Sequence, residues 1–109
     1  MSEKEKVEKY EVIVAIVNEG HSDKVMDAAR EAGARGGTIS HARGSGNKEI
    51  EKKYGIIITP QKEMLYILVS EAIRDQVMSA INKAVGIDTP GQGIVFSLPV
   101  DNISGLKLN

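Results

Sequence analysis

The chain has 109 residues, 41% of them apolar and 27% charged, with a formal net charge of −1 and no cysteine. That length suits one hydrophobic core of ordinary domain size, and the apolar fraction excludes a disordered chain. The near-neutral charge provides no long-range positive field for nucleic acid or anionic lipid, and the missing thiols remove disulfides, thiolate catalysis and cysteine-held metal, in keeping with a reducing cytoplasm.

Residues 1–9 are rich in Glu and Lys and lack the apolar segment of a signal peptide, so they read as a charged leader to a single domain over 10–109. Tyr10 to Val17 is β-branched and apolar on both alternating sets, the pattern of a central strand. After a polar turn, Ser22 is placed to cap a helix in which Val25, Ala28, Ala29 and Ala32 share one face, with an end near Gly33. Thr38 to Arg43 predicts a short strand, and Gly44-Ser45-Gly46 with the charged run Lys48 to Lys53 predicts a mobile, solvated loop.

Gly55 to Thr59 and Glu63 to Val69 are strand-like on either side of Pro60, which predicts a long, interrupted third strand. Ser70 can cap a second helix carrying Ile73, Val77, Ala80, Ile81 and Ala84 and ending before Gly86. A turn at Pro90 to Gly93 leads into a fourth strand, Ile94 to Val100. No apolar run approaches the roughly 20 residues of a spanning helix, so no membrane insertion is expected. The order strand, helix, strand, strand, helix, strand is the ferredoxin-like α+β arrangement βαββαβ, with two helices on one face of an antiparallel sheet. Because both alternating sets of the first strand are apolar, the helix-free face is apolar too, and self-association through the sheets is expected.

Two stretches, GGTISHARGSG (Gly36 to Gly46) and PGQGIVFSLPV (Pro90 to Val100), resemble the PII signal-transduction family. In that family a Gly-x-Thr strand ends in Gly-x-Gly at the base of a long T-loop, and a later B-loop, Gly-Asp-Gly-Lys, precedes a strand ending Leu-Pro-Val. The resemblance runs from Tyr10 to about Lys107. It implies a cytoplasmic homotrimer, not an enzyme, that holds ATP or ADP as a regulatory ligand in clefts between subunits. It further implies contact with an unidentified target, such as a membrane transporter or a metabolic enzyme, through the loop. Carried over residue by residue, the ligand-binding set is Gly36, Gly37, Thr38, Arg43, Gly44, Ser45, Gly46, Leu68, Gly91, Gln92, Gly93 and Lys107. No cofactor is required and no catalytic or metal residue is implied. The glycines would let backbone N–H groups approach a phosphate, Thr38 would meet the adenine edge, and Leu68 would form an apolar wall.

The chain departs from that pattern in ways that bear on the ligand. Ile94 stands where the B-loop has lysine, and Gly105 and Lys107 stand where the family has two arginines. Asn47 and Lys48 replace the Arg-Gln pair, whose glutamine helps hold magnesium and 2-oxoglutarate. The stretch from Gly46 to Pro60 is shorter than the usual T-loop, and Tyr54 falls too near its end to match the tyrosine modified in some members. The expectation is a divergent member with altered or weakened nucleotide binding and no 2-oxoglutarate sensing.

Plainer readings stand beside each feature. Gly44 to Gly46 fits a flexible turn, and Gly91 and Gly93 fit a tight turn before a strand. His21 and His41 lack metal-ligand neighbours, and Arg35 and Arg43 fit solvated arginines as well as phosphate contacts. The alternatives to a regulator are a small ferredoxin-like phosphatase using Asn18 or Asn47 with Arg43, and a ligand-free structural trimer. RNA binding fails on chemistry: one Phe, three Tyr and no Trp offer little surface for base stacking.

Overall fold

The β-branched run at the start of the domain becomes a central strand because it can bury both of its faces. In the computed structural model, which describes residues 9–57 and 59–105, β1 (Tyr10–Asn18) lies between β3 (Gln61–Ser70) and β4 (Ile94–Val100), and β2 (Thr38–Arg43) pairs with the other side of β3. All three pairings are antiparallel, and the sheet order is β2-β3-β1-β4. Two helices, α1 (Ser22–Glu31) and α3 (Glu71–Val85), cover one face. This is the expected ferredoxin-like fold.

The register sorts the side chains. Ile13, Ala15 and Val17 of β1 and Leu65 and Ile67 of β3 are fully buried beneath the helices, against Val25 and Ala29 of α1 and Val77 and Ile81 of α3. Met26 and Val85 also join this core, although neither belongs to the helix faces drawn from the sequence. Beside the core, Glu11 is nearly buried and accepts a 2.7 Å hydrogen bond from Arg74 of α3. That bond holds the Glu11 carboxyl below its ordinary value, with burial working against it, and raises Arg74 in turn.

The opposite face is different. Register places Val12, Val14 and Ile16 of β1 beside Leu68, Tyr66 and Met64 of β3 and Leu98, Phe96 and Ile94 of β4, and among the described residues no helix packs above them. On β4 the exposures are 58% for Ile94, 40% for Phe96 and 49% for Leu98.

Several local expectations need correction. The Lys48 to Lys53 run is not a loop but a helix, α2 (Lys48–Tyr54). Asn47 caps it by accepting hydrogen bonds from the N–H groups of Glu49 and Ile50, acidic residues occupy its first turn and lysines its last, and Gly55 ends it in the left-handed region at φ 66°. Gly55 to Ile57 is not strand, so β3 starts only at Gln61, after Pro60, and runs uninterrupted; Ile58 lies outside the described residues. Ser22 is the first helical residue rather than the cap. His21 holds the cap position, and Glu63 of β3 accepts the Ser22 N–H at 3.1 Å, which does the work expected of a serine side chain. Ser70 does stand at the cap of α3, but without a side-chain cap bond; the Glu71 N–H donates instead to the Lys9 carbonyl at 2.8 Å.

Candidate ligand site at the rim of the sheet

The expected ligand residues fall into three groups. Gly36 and Gly37 lead into β2, which begins at Thr38, and Thr38 pairs with Tyr66 on the helix-free face. Leu68 shares that face, opposite Val12. Arg43 ends β2, about 17 Å along the strand from Thr38, and Gly44, Ser45 and Gly46 lead from it towards α2. Gly91, Gln92 and Gly93 precede β4. Lys107 lies outside the described residues.

The second and third groups share one rim. Ala42 is level with Lys62, Lys62 with Asn18, and Ile94 with Ile16, so the end of β2 and the start of β4 emerge on the same side of the sheet. Within one chain they do not meet, because β2 and β4 are the two outer strands, three spacings or about 14 Å apart. The groups at the two ends of β2 are likewise separated by the length of the strand. A single chain therefore carries the two groups of the rim on its opposite flanks.

The glycines differ in what demands them. A Cβ on Gly37 would come within 2.9 Å of both Ile67 and the Tyr66 carbonyl, so the absent side chain lets β2 start flush against β3. Gly93 is buried, its N–H donates to the Val85 carbonyl at 2.6 Å, and a Cβ would sit 2.5 Å from that oxygen. The tight-turn reading thus accounts for Gly93 by packing against the end of α3. Gln92, between two buried glycines, is exposed and holds φ 46°. A non-glycine residue pays for that left-handed conformation in strain, and such residues concentrate at functional turns. Gly36 has open space around it, and Gly44 is only in ordinary contact with Lys62 and Pro60.

Residues outside the expected ligand set hold this rim together. The Gly44 N–H donates to the Pro60 carbonyl at 2.8 Å, closing the stem of the arm that carries α2. Lys62 donates to Asn18 Oδ1 at 2.7 Å, and Asn18 Nδ2 donates to the Pro90 carbonyl at 3.0 Å. Thr89 accepts the Gly91 N–H at 3.2 Å and donates to the Gly86 carbonyl at 2.8 Å. A water-positioning role for Asn18 in a phosphatase needs a free carboxamide, but both ends of it are engaged. From sequence, Asn18 opens the polar turn after the first strand, whereas in the fold it is the last residue of β1.

The arm itself exposes apolar side chains. Ile50 and Tyr54 lie one helical turn apart on α2, and Ile56 and Ile57 follow, the latter 89% exposed; none of the α2 residues is buried. Among the described residues no cluster of acidic, His or Cys side chains could hold a metal ion, and no helix is long and apolar enough to cross a membrane.

Known proteins share this fold. The chain is similar to a crystal structure of Arabidopsis thaliana PII bound to citrate, with 26% identity, coverage of 84% of this chain and 75% of that one, and a TM-score of 0.62. It also shares its fold with a structure of B. subtilis GlnK, at 17% identity, 84% and 85% coverage and a TM-score of 0.63. No curated protein sequence gives a significant match. The family described as nitrogen regulatory protein P-II matches residues 10–109, and the chain accordingly belongs to that family of regulatory signal-transduction proteins.

Proposed function

We propose that residues 10–109 form a single-domain, cytoplasmic P-II-type regulator. It assembles as a homotrimer through the helix-free sheet face, takes an adenine nucleotide between subunits and presents the arm of residues 46–59 to a target protein. The observation that carries this reading is the division of the rim. The arm stem at Gly44 and the turn at Gly91 to Gly93 stand on opposite outer strands of one sheet. They can line a common cleft only when a second copy brings its turn against the first copy's stem. The apolar residues of β4 supply the contact that would hold such copies together, and burial of Ile94, Phe96 and Leu98 would remove their exposed area from water.

In that cleft Ser45 and Gly46 would offer backbone N–H groups to phosphate, with Arg43 and Lys107 as cations and Gln92 as a neutral donor from the neighbouring turn. Thr38 and Leu68 would meet the base. Ile94, at the family's lysine position, points to weaker phosphate binding than the pattern usually provides. The exposed Ile50, Tyr54, Ile56 and Ile57 support the docking role, since ligand and target would act on each other by preferring the same arm conformation.

A thermal-shift panel of ATP, ADP, AMP and cyclic nucleotides, with citrate added because the Arabidopsis relative is bound to it, tests the ligand. A raised melting temperature with ATP or ADP is expected, and a curve unmoved at millimolar nucleotide overturns the nucleotide reading. One observation favours a ligand-free trimer as the second reading: contacts with α3 and β3 already account for Gly93 and Gly37. A flat panel together with a stable trimer would select it.

A further inference from the structure

The arm stem and the turn before β4 are separated by two strands, yet one side chain touches the neighbours of both. Asn18, the last residue of β1, accepts from the Lys62 ammonium at 2.7 Å and donates to the Pro90 carbonyl at 3.0 Å. The two contacts fix the orientation of the amide, because an ammonium only donates and a carbonyl only accepts. On one side, the Lys62 side chain lies against Gly44, whose N–H closes the stem on Pro60. On the other, the Asn18 backbone N–H also donates to the Gly91 carbonyl at 2.9 Å, so Asn18 grips the turn twice.

Few side chains can do this. Aspartate would keep the contact with Lys62 but turn an acceptor towards the Pro90 carbonyl. Lysine or arginine would satisfy Pro90 but repel Lys62. Serine is too short to reach both partners. Asparagine places an acceptor and a donor on one short planar group, and Asn18, Lys62 and Pro90 come from three separate parts of the chain.

We infer that Asn18 is a positioning residue that couples the arm stem to the turn before β4 within a single chain, through the path Gly44, Lys62, Asn18, Pro90. Its regulatory consequence rests on the function proposed above: a ligand or target that shifts one loop shifts the other. The coupling itself is a property of the empty protein, so it can be tested without any ligand.

The experiment is amide hydrogen exchange by NMR on the full chain. The Gly44 N–H reports the stem and the Gly93 N–H reports the turn. Lys62→Met removes the ammonium from the stem side. It should speed exchange at Gly93 by about fivefold, the scale of one lost hydrogen bond, although the hydrogen bond it removes is to Asn18 and not to the turn. In an Asn18→Ala background the same Lys62→Met change should leave Gly93 unmoved. Coupling is reciprocal, so Thr89→Ala, which frees the Gly91 N–H, should speed exchange at Gly44 only while Asn18 is present.

If Asn18→Ala does not fold, Asn18→Asp replaces it, and the turn should then loosen while the stem keeps its Lys62 contact. Equal effects of Lys62→Met with and without Asn18, or no effect in either background, would overturn the coupling. A failed nucleotide panel would leave this result standing, and an uncoupled pair would overturn the latch even if nucleotide binds.

Discussion

The two faces of the sheet are made of similar residues and meet different fates. Under the helices, Ile13, Ala15, Val17, Leu65 and Ile67 are sealed from water in one chain. On the other face Val12, Tyr66, Phe96 and Leu98 follow the same alternation without a cover. The covered face stabilises the fold of the chain, whereas the open face leaves apolar side chains in water, which is where the proposed assembly would act. Substitutions on the two faces should therefore change different observables.

The largest effect should come from the covered face. Ile67→Ala removes a fully buried side chain and should cost about 2–5 kcal/mol of stability in chemical denaturation. A change confined to oligomeric mass would break the comparison. Gly93→Ala should destabilise next, because its Cβ would come within 2.5 Å of the Val85 carbonyl; a melting temperature equal to that of the natural chain would contradict this packing. On the open face, Phe96→Asp should leave the circular dichroism spectrum intact and reduce the particle to a single chain in light scattering.

Acid should weaken the covered face selectively. Glu11 titrates below its ordinary value of 4.5 in the folded chain, so its contribution is present above the unfolded value and is lost as pH falls through the folded one. Melting temperature measured through that range should fall less steeply in Glu11→Gln than in the natural chain. The smallest effect belongs to the arm: Asn47→Ala removes the cap of α2 and should cost that helix about 1 kcal/mol, read as faster amide exchange at Glu49 and Ile50 with the global melting temperature nearly unchanged.

The arm also marks where sequence reading stopped. The strands Thr38–Arg43 and Ile94–Val100 were legible to the residue because glycine-rich turns bound them, and Glu71–Val85 because its apolar face repeats with helical spacing. The α2 segment has no face against the core, so periodicity gave no signal. Its asparagine cap, its charges arranged by turn and its closing Gly55 were the local signs available. Around β2 and before β4, the glycine motifs marked loops but could not separate glycines demanded by packing, such as Gly37 and Gly93, from those with open space around them, such as Gly36. Asn18 and Lys62 were invisible as a pair, since antiparallel register alone brings residues so distant in sequence together.

The open face gives the central claim its most direct test, which is the mass of the purified full chain by multi-angle light scattering at micromolar concentration. Assembly through the helix-free face predicts three chains of 11.8 kDa each per particle, with Phe96→Asp falling to one. A monomeric natural chain at that concentration, with the fold intact, would contradict it.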